Sequence, residues 1–368
     1  MARANTERIA KLSDVARAAG VSQGTVSNVF NRPELVREEV RKRVLDIAAG
    51  LGYRGPDPRG RLLRAGKVNA IGIATMEPVS YFFTDPYAQE VMAGISEAAD
   101  AAGAGLSLVS AANAETLAWN IQTAVVDGFI LFCIEGGDEL VRLTRERQLP
   151  FVALALGGDD RTVSAIGIDD AAGARLAAEH LAGLGHRRFA VLSMELDDGR
   201  HHGRVTREDI AEALYSSTRE RVIGYFEGLA RFGIDVDAVP IFETLNDEAT
   251  VRAAINALFA AAEPPTALLA QSDRMAVIAM RALQERGLRI PQDVSIVGFD
   301  GTPEGAAANP PLTTVVQPMR EIGRAAVAAI LAPPDGARRQ LLPLEFVIRG
   351  STAPPSPGAS PNASATSR

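Results

Sequence analysis

One cysteine, Cys133, among 368 residues leaves no partner for an intrachain disulfide. The fold must rest on a packed core, and the chain reads as suited to a reducing compartment. Cys133 lies in an apolar run and is expected to be a buried, inert thiol. Long hydrophobic stretches are also missing. The run Ala124–Ile134 is interrupted by Asp127 and Gly128, well short of the ~20 residues a membrane span needs. The opening Met1-Ala-Arg-Ala-Asn-Thr-Glu has no apolar segment of the kind that directs secretion, so the expected location is the cytoplasm. Aromatics make up only 5% of the chain, and its single tryptophan, Trp119, reads as packing. The four histidines do not converge: His180 and His186 miss a shared helical face, and His201 and His202 are adjacent in a loop. No Cys, His and carboxylate set has ligand spacing, so neither metal nor cofactor is expected. No Gly-x-Ser-x-Gly or phosphate-cradling loop occurs, and Gly103-Ala-Gly105 lacks a third glycine and precedes a strand, which disfavours an enzyme.

What is present is an apolar fraction of 47%, with 33 Gly and 21 Pro, enough for two or three domains with ample core. Charge is unevenly placed. Residues 1–67 hold 14 Lys and Arg against 7 Asp and Glu, a net +7, whereas the rest hold 24 against 38, a net −14. A basic head favours phosphate while the acidic body repels it.

Four segments follow. Residues 9–56 read as an all-α head with a helix-turn-helix. Residues 57–67, within a Pro-, Gly- and Arg-rich stretch beginning at Tyr53, read as a hinge or linker. Residues 68–350 alternate short apolar strands with amphipathic helices. The strands read as Ala70–Ala74, Leu106–Ser110, Gly128–Ile134, Pro150–Leu154, Ala165–Ile168, Phe189–Ser193, Ala238–Phe242, Ala267–Ala270 and Val294–Phe299. That alternation implies an α/β body of two parallel sheets with helices on both faces. Residues 351–368 are Ser, Pro, Ala and Thr with almost no large apolar side chain, and are expected to be disordered.

The sharpest signal runs from Leu12 to Asn31. Ser13 can cap a short helix with Asp14 in its first turn, and Gly20 can end it in the left-handed conformation. Ser22 caps the next helix, and Val26 crosses the small Ala16. The second helix then presents Gln23, Gly24, Thr25, Asn28 and Asn31 outward, hydrogen-bonding groups suited to base edges and phosphates. A third helix, Arg37–Leu51, closes the core with Val40, Val44, Leu45, Ile47 and Leu51. A generic helical hairpin is the plainer alternative, but the helix-end chemistry and the basic charge agree on a DNA reader.

Asp14-Val-Ala-Arg-Ala-Ala-Gly-Val-Ser, Thr25-Val-Ser-Asn-Val-Phe-Asn and Leu51-Gly-Tyr-Arg resemble the lactose-repressor (LacI/GalR) family. The resemblance continues through Asp127-Gly-Phe-Ile-Leu, Ile168-Asp-Asp-Ala-Ala-Gly, Arg221-Val-Ile-Gly-Tyr, Gln271-Ser-Asp-Arg-Met-Ala, Val297-Gly-Phe-Asp and Pro311-Leu-Thr-Thr to about Arg349. It implies a homodimer, with a tetramer left open, on pseudo-palindromic double-stranded operator DNA, and a two-lobed periplasmic-binding-protein-like body holding a small effector, by family default a sugar. It places Gln23, Gly24 and Asn28 at base-reading positions and Ser22, Thr25, Ser27, Asn31 and Tyr53 near the backbone. Asn28 stands where many members carry Arg, and Gly24 offers no side chain. Leu63, flanked by Arg61 and Arg64, matches a leucine that wedges into the minor groove. Gly60 replaces the usual alanine, weakening the hinge helix by about 1 kcal/mol, so the hinge is expected to be unfolded off DNA. Arg221 and Asp273 match effector-contacting residues, with Asp85 and Tyr87 as further candidates. Ala88 and Ala155 stand where relatives use an aromatic and an acid. The charged stretch Glu195–Ala213 reads as a solvated loop in preference to a gate. The alternative to a regulator is a solute-binding or enzymatic α/β protein with an incidental helical head.

Overall fold

The computed structural model describes residues 10–55, 67–132, 137–154 and 161–356. Arg61, Leu63 and the rest of the expected hinge from residue 57 to 66, together with Cys133 and Ala155, lie outside these. Two compact units result, Met1–Val68 and Asn69–Arg368.

The head contains α1 (Leu12–Ala19), α2 (Gln23–Asn31) and α3 (Glu38–Gly50). Gly20 takes φ +65° after α1, and its N–H reaches back to the carbonyls of Ala16 and Arg17, the left-handed ending that lets the chain turn sharply. The start of α1 differs from expectation. Lys11 holds the capping position and Asp14 accepts its N–H at 3.0 Å, so Ser13 lies inside the helix. Val15, Ala16, Ala19, Val26, Val29, Val44 and Ala48 form the core. Leu45 and Leu51 stay more than 40% exposed, because three small buried faces leave room for only Val44 and Ala48 from α3, with Val40 and Ile47 at the edge.

In the body, two sheets form from buried, β-branched or small-residue strands. The first contains β1 (Ala70–Thr75), β2 (Gly105–Ser110), β3 (Gly128–Phe132), β4 (Phe151–Leu154), β5 (Ala165–Gly167) and, from far along the chain, β12 (Arg339–Leu341). Its order is β2-β1-β3-β4-β5-β12, parallel throughout. The second contains β6 (Phe189–Ser193), β7 (Gly203–Val205), β8 (Ile241–Glu243), β9 (Ala267–Ala270), β10 (Ser295–Asp300), β11 (Thr313–Val316) and β13 (Glu345–Val347). Its order is β7-β8-β6-β9-β10-β11-β13, parallel inside and antiparallel at both edges. Each sheet has an apolar cluster on either face. The strand order around β1 and around β6 is the same, and each has a switch point where a ligand crevice opens beyond the carboxyl ends.

The chain crosses between these lobes three times. It leaves β5 for α8 (Asp170–Gly183) on the second sheet, leaves β11 for α14 (Met319–Leu331) on the first, and leaves β12 for β13.

Four expectations are corrected. Trp119 does not pack into the core but stands 71% exposed. Glu195–Ala213 is not a solvated loop: β7 pairs with β8, a short helix, α9 (Arg207–Ala211), is capped by Thr206, and Leu196, Ile210 and Ala213 are buried. Residues 351–356 are packed rather than disordered. Ser351 is fully buried, its Oγ donating to the Ile296 carbonyl at 2.6 Å, and the Ala353 carbonyl accepts from His186 Nε2 at 2.9 Å and Ser295 Oγ at 3.0 Å. Small polar side chains suit that seam because they satisfy backbone groups at the sheet end. The strand read at Ala238–Phe242 begins at Ile241, Val236–Ala238 being a helical turn. The edge strands β7, β12 and β13 and the interior strand β11 are not among the strands read from the sequence.

Each lobe is clamped by helices in backbone contact. A Cβ on Gly94, in α5 (Pro86–Ala101), would collide with the Arg320 backbone of α14, and one on Gly224, in α10 (Ser216–Ala230), with the Ala171 carbonyl of α8. Gly94→Ala and Gly224→Ala should each destabilise the body by about 1–3 kcal/mol through overpacking. Denaturant unfolding followed by far-UV circular dichroism checks this, and unchanged midpoints would contradict the packing.

Candidate functional site

The first site is the outer face of α2. Ser22 accepts the Thr25 N–H at 3.0 Å, and the two hydroxyls lie 2.9 Å apart. This cap satisfies one of the donors that a helix start leaves open. Asn31 Nδ2 donates to Ser27 Oγ at 3.1 Å. Ser22, Gln23, Gly24, Asn28 and Asn31 are exposed, and Thr25 and Ser27 half-buried. Among the described residues, the Gln23 and Asn28 side chains make no hydrogen bond within the head. Their amides keep both donor and acceptor for an outside partner. A Cβ on Gly24 would meet only Ser22 Oγ, at 3.6 Å. The head does not need glycine there, so its bareness shapes the outer surface alone. Tyr53 is partly buried and stands edge-on to Phe30, centroids 5.6 Å apart. Burial pushes its hydroxyl pKa up.

The second site is a cavity of about 460 Å³ at the carboxyl ends of the strands of both sheets, the size of a small-ligand pocket. Met76 and Glu77 follow β1, Met194 and Glu195 follow β6, Ser272 follows β9, and Asp300 ends β10. Ile168, Asp170 and Gln317, from the crossing segments, line it too.

Arg221 lies at its floor. Nε donates to Asp170 Oδ1 at 2.7 Å, one terminal nitrogen donates to the Gln271 carbonyl at 2.6 Å and sits 3.8 Å from Asp300 Oδ1, and the guanidinium lies 3.8 Å from the Phe299 ring centroid. Burial works against its charge, but Asp170 and Asp300 outweigh it and the net direction is upward. Asp170 is raised by burial, against the pull of Arg221. Asp300 is raised well above the ordinary carboxylate range by burial, against the pull of Arg221, with Asp273 adding to the rise. Gln317 Nε2 donates to Asp300 at 2.7 Å. Asp300 adopts φ +116°, a strained backbone for a residue with a side chain.

Asp85 and Tyr87 both line the cavity. Asp85 caps α5 by accepting the Ala88 N–H at 3.0 Å, and its other oxygen lies 3.9 Å from Arg274 of α12 (Asp273–Glu285). Arg274 also donates to the Thr84 carbonyl at 3.3 Å, joining the two lobes. Tyr87 packs on Phe132.

Asp273 stands elsewhere. It is fully buried, is not among the cavity-lining residues, and accepts from the Thr302 N–H at 2.6 Å, Thr302 Oγ1 at 3.2 Å and Thr314 Oγ1 at 2.5 Å. The expected ligand acceptor instead pins the loop after β10 onto β11. Sequence reading passed over Asp170, Asp300, Glu77, Glu195 and Asp198 as site residues. Asp170 and Asp300 had a usable signal, each being an acid beside a predicted strand end. Tyr215, whose hydroxyl donates to Asp198, also lines the cavity. Among the described residues, no group of three or more His, Cys, Asp or Glu could hold a metal ion, and no helix is long and apolar enough to cross a membrane.

Comparison with known proteins matches both halves. Residues 11–55 match the domain described as bacterial regulatory proteins, lacI family, and residues 178–352 the periplasmic binding protein-like domain. An HTH-type transcriptional regulator of Mycobacterium tuberculosis is 36% identical, covering 95% of this chain and 98% of its own. The ribose operon repressor of Haemophilus influenzae is 31% identical, covering 93% and 98%. The lac repressor dimer bound to operator and the anti-inducer ONPF superposes with a TM-score of 0.73 at 28% identity, covering 94% of this chain and all of that one. A DNA-reading head and a two-lobed body along nearly the whole length of such relatives leave one conclusion: the chain belongs to the LacI family of bacterial transcriptional regulators.

Proposed function

We propose that the protein acts as a homodimeric repressor whose two α2 helices read the half-sites of a pseudo-palindromic operator, and whose grip is set by a small polar effector, by family default a sugar, in the interlobe cavity. That it is a DNA-binding transcriptional regulator follows from its family. The relatives compared above are regulators rather than enzymes, one acting on a ribose operon and one held as a dimer on operator. The observation that carries the finer reading is the pair of uncommitted amides, Gln23 and Asn28, on an exposed helix face whose neighbours Ser22, Thr25, Ser27 and Asn31 are hydroxyl and amide groups suited to backbone phosphates. Tyr53 borders that face. The hinge assignments of Arg61 and Leu63 rest on the sequence match alone. In the cavity, Arg221, Asp85 and Tyr87 are the proposed effector contacts, with Asp273 holding the wall behind them.

Selection of bound sequences from a random duplex pool tests the reading, and binding no tighter to any duplex than to competitor DNA would end it. Asn28→Ala should relax discrimination at one base pair of each half-site by about 1–3 kcal/mol, measured by competition binding. Undiminished discrimination would remove Asn28 from the base-reading set.

Arg221→Lys keeps the charge but loses the planar fork. The effector response of operator binding should shift by about tenfold, one hydrogen bond's worth, with the thermal midpoint measured alongside to separate lost folding from lost response. An unchanged response would remove Arg221 from the effector site. Asp273→Ala leaves the Thr302 N–H buried and unpaired and the Thr314 hydroxyl with only the Val315 carbonyl at 3.3 Å, at about 1–3 kcal/mol. Its unfolding midpoint should fall while effector affinity of the folded protein holds. Lost affinity with intact stability would return Asp273 to the ligand.

A further inference from the structure

Glu77 and Glu195 occupy equivalent places in the two lobes. Each lies two residues beyond the carboxyl end of its central strand, Glu77 after β1 and Glu195 after β6. Those strands have corresponding parallel neighbours, β2 and β3 beside β1 and β8 and β9 beside β6. Both side chains are half-buried, and both line the cavity. Among the described residues, neither carboxylate has a hydrogen bond or an ion pair. Their surroundings are acidic: Asp198 and Asp85 act on Glu77, while Glu243 and Asp247 act on Glu195. Arg200 offsets both from an exposed position without pairing to either. The charges of the cavity's other cations are compensated by acids, Arg221 by Asp170 and Asp300 and Arg339 by Glu220.

We propose, on the reading of the cavity as the effector site, that the effector carries a cationic ammonium group on a hydroxyl-bearing skeleton, and that the ammonium lodges between Glu77 and Glu195, bridging the lobes. Glu77 and Glu195 line one cavity from different lobes, and the charge of Glu77 acts on Glu195; a cation between two such like charges converts their repulsion into attraction toward both walls. Among the described residues that line the cavity, both arginines already face acids, so an anionic ligand such as a phosphate or carboxylate meets no uncompensated positive charge there. The titration agrees: burial raises both carboxyls, and Glu195, raised further by Glu77, stands at about 7. A bound ammonium pulls both pKa values back down. Binding near neutral pH should therefore release a proton and strengthen as pH rises through 7 while the amine stays charged.

Calorimetry with three ligands on one skeleton tests this: sorbitol, 1-amino-1-deoxysorbitol and gluconate. The amine should bind at least about tenfold tighter than the alcohol, an effect of the size expected for a charge-assisted hydrogen bond. Its enthalpy should depend on the buffer's ionisation heat, and the preference should vanish in Glu77→Gln and in Glu195→Gln. A ligand-free arm stands by itself. Glu77→Gln with Glu195→Gln removes the repulsion and should raise the thermal midpoint by about 2 °C or more. The proposal is overturned if sorbitol or gluconate binds as tightly as the amine, or if the double variant's midpoint does not rise. If none of the three binds, that midpoint decides. Operator affinity is measured alongside. An amine bound with this preference that leaves operator affinity unchanged would end the effector reading and leave the cation site standing.

Discussion

Arg221 and the two carboxylates around it are the constraint on which the body's geometry turns. Asp170 stands at the start of α8, just beyond the first crossing between lobes, and Asp300 at the end of β10, bonded in turn to Gln317 at the second crossing. One guanidinium thus fixes two of the three connections relative to the mouth of the second sheet. A buried ion pair contributes little to stability compared with a well-packed apolar substitute, yet removing one member costs about 3–5 kcal/mol because a charge is left uncompensated. The group therefore acts less as an adhesive than as a register pin. It permits a single arrangement of crossing strands and strand ends, and with it a single shape of cavity floor.

How much of this could be read in advance depended on how local each cause was. Gly20, Ser22 and Val26 announce the helix-turn-helix because a left-handed ending, a hydroxyl cap and a crossing contact are decided within fifteen residues. Even there the first cap moved to Lys11, since Asp14 reaches its N–H directly. The central strands were legible because full burial demands unbroken apolar runs. The edge strands β7, β12 and β13 are three residues each and partly exposed, and a pairing partner rather than composition makes them strands.

Asp273 shows the limit most clearly. An acid at a strand end reads as a ligand contact, and only the fold reveals that Thr302 and Thr314 already satisfy it. Glu77 and Glu195 had the opposite fate. They lie 118 positions apart with nothing local to link them, and only the shared strand order sets them at matching places. The segment Glu195–Ala213 misled because its charges suggested solvent, whereas Leu196, Ile210 and Ala213 anchor it from within. Charge density marks what faces water and says little about what the same segment buries.

An effector can shift an equilibrium between two lobe arrangements only through contacts that differ between them, and couplings of this kind amount to about 1–3 kcal/mol. A ligand held by one lobe alone has the same partners whatever the other lobe does, and shifts nothing however tightly it binds. The cavity supplies the needed asymmetry by drawing Glu77, Asp85 and Tyr87 from the first lobe and Glu195, Arg221 and Asp300 from the second. The protein already spans the same gap at one point, where Arg274 of the second lobe meets Thr84 and Asp85 of the first. That link is partly exposed and therefore weak. On the effector reading proposed above, the energy that shifts the lobes has to come from a ligand that touches both walls, because only such contacts differ between two lobe arrangements.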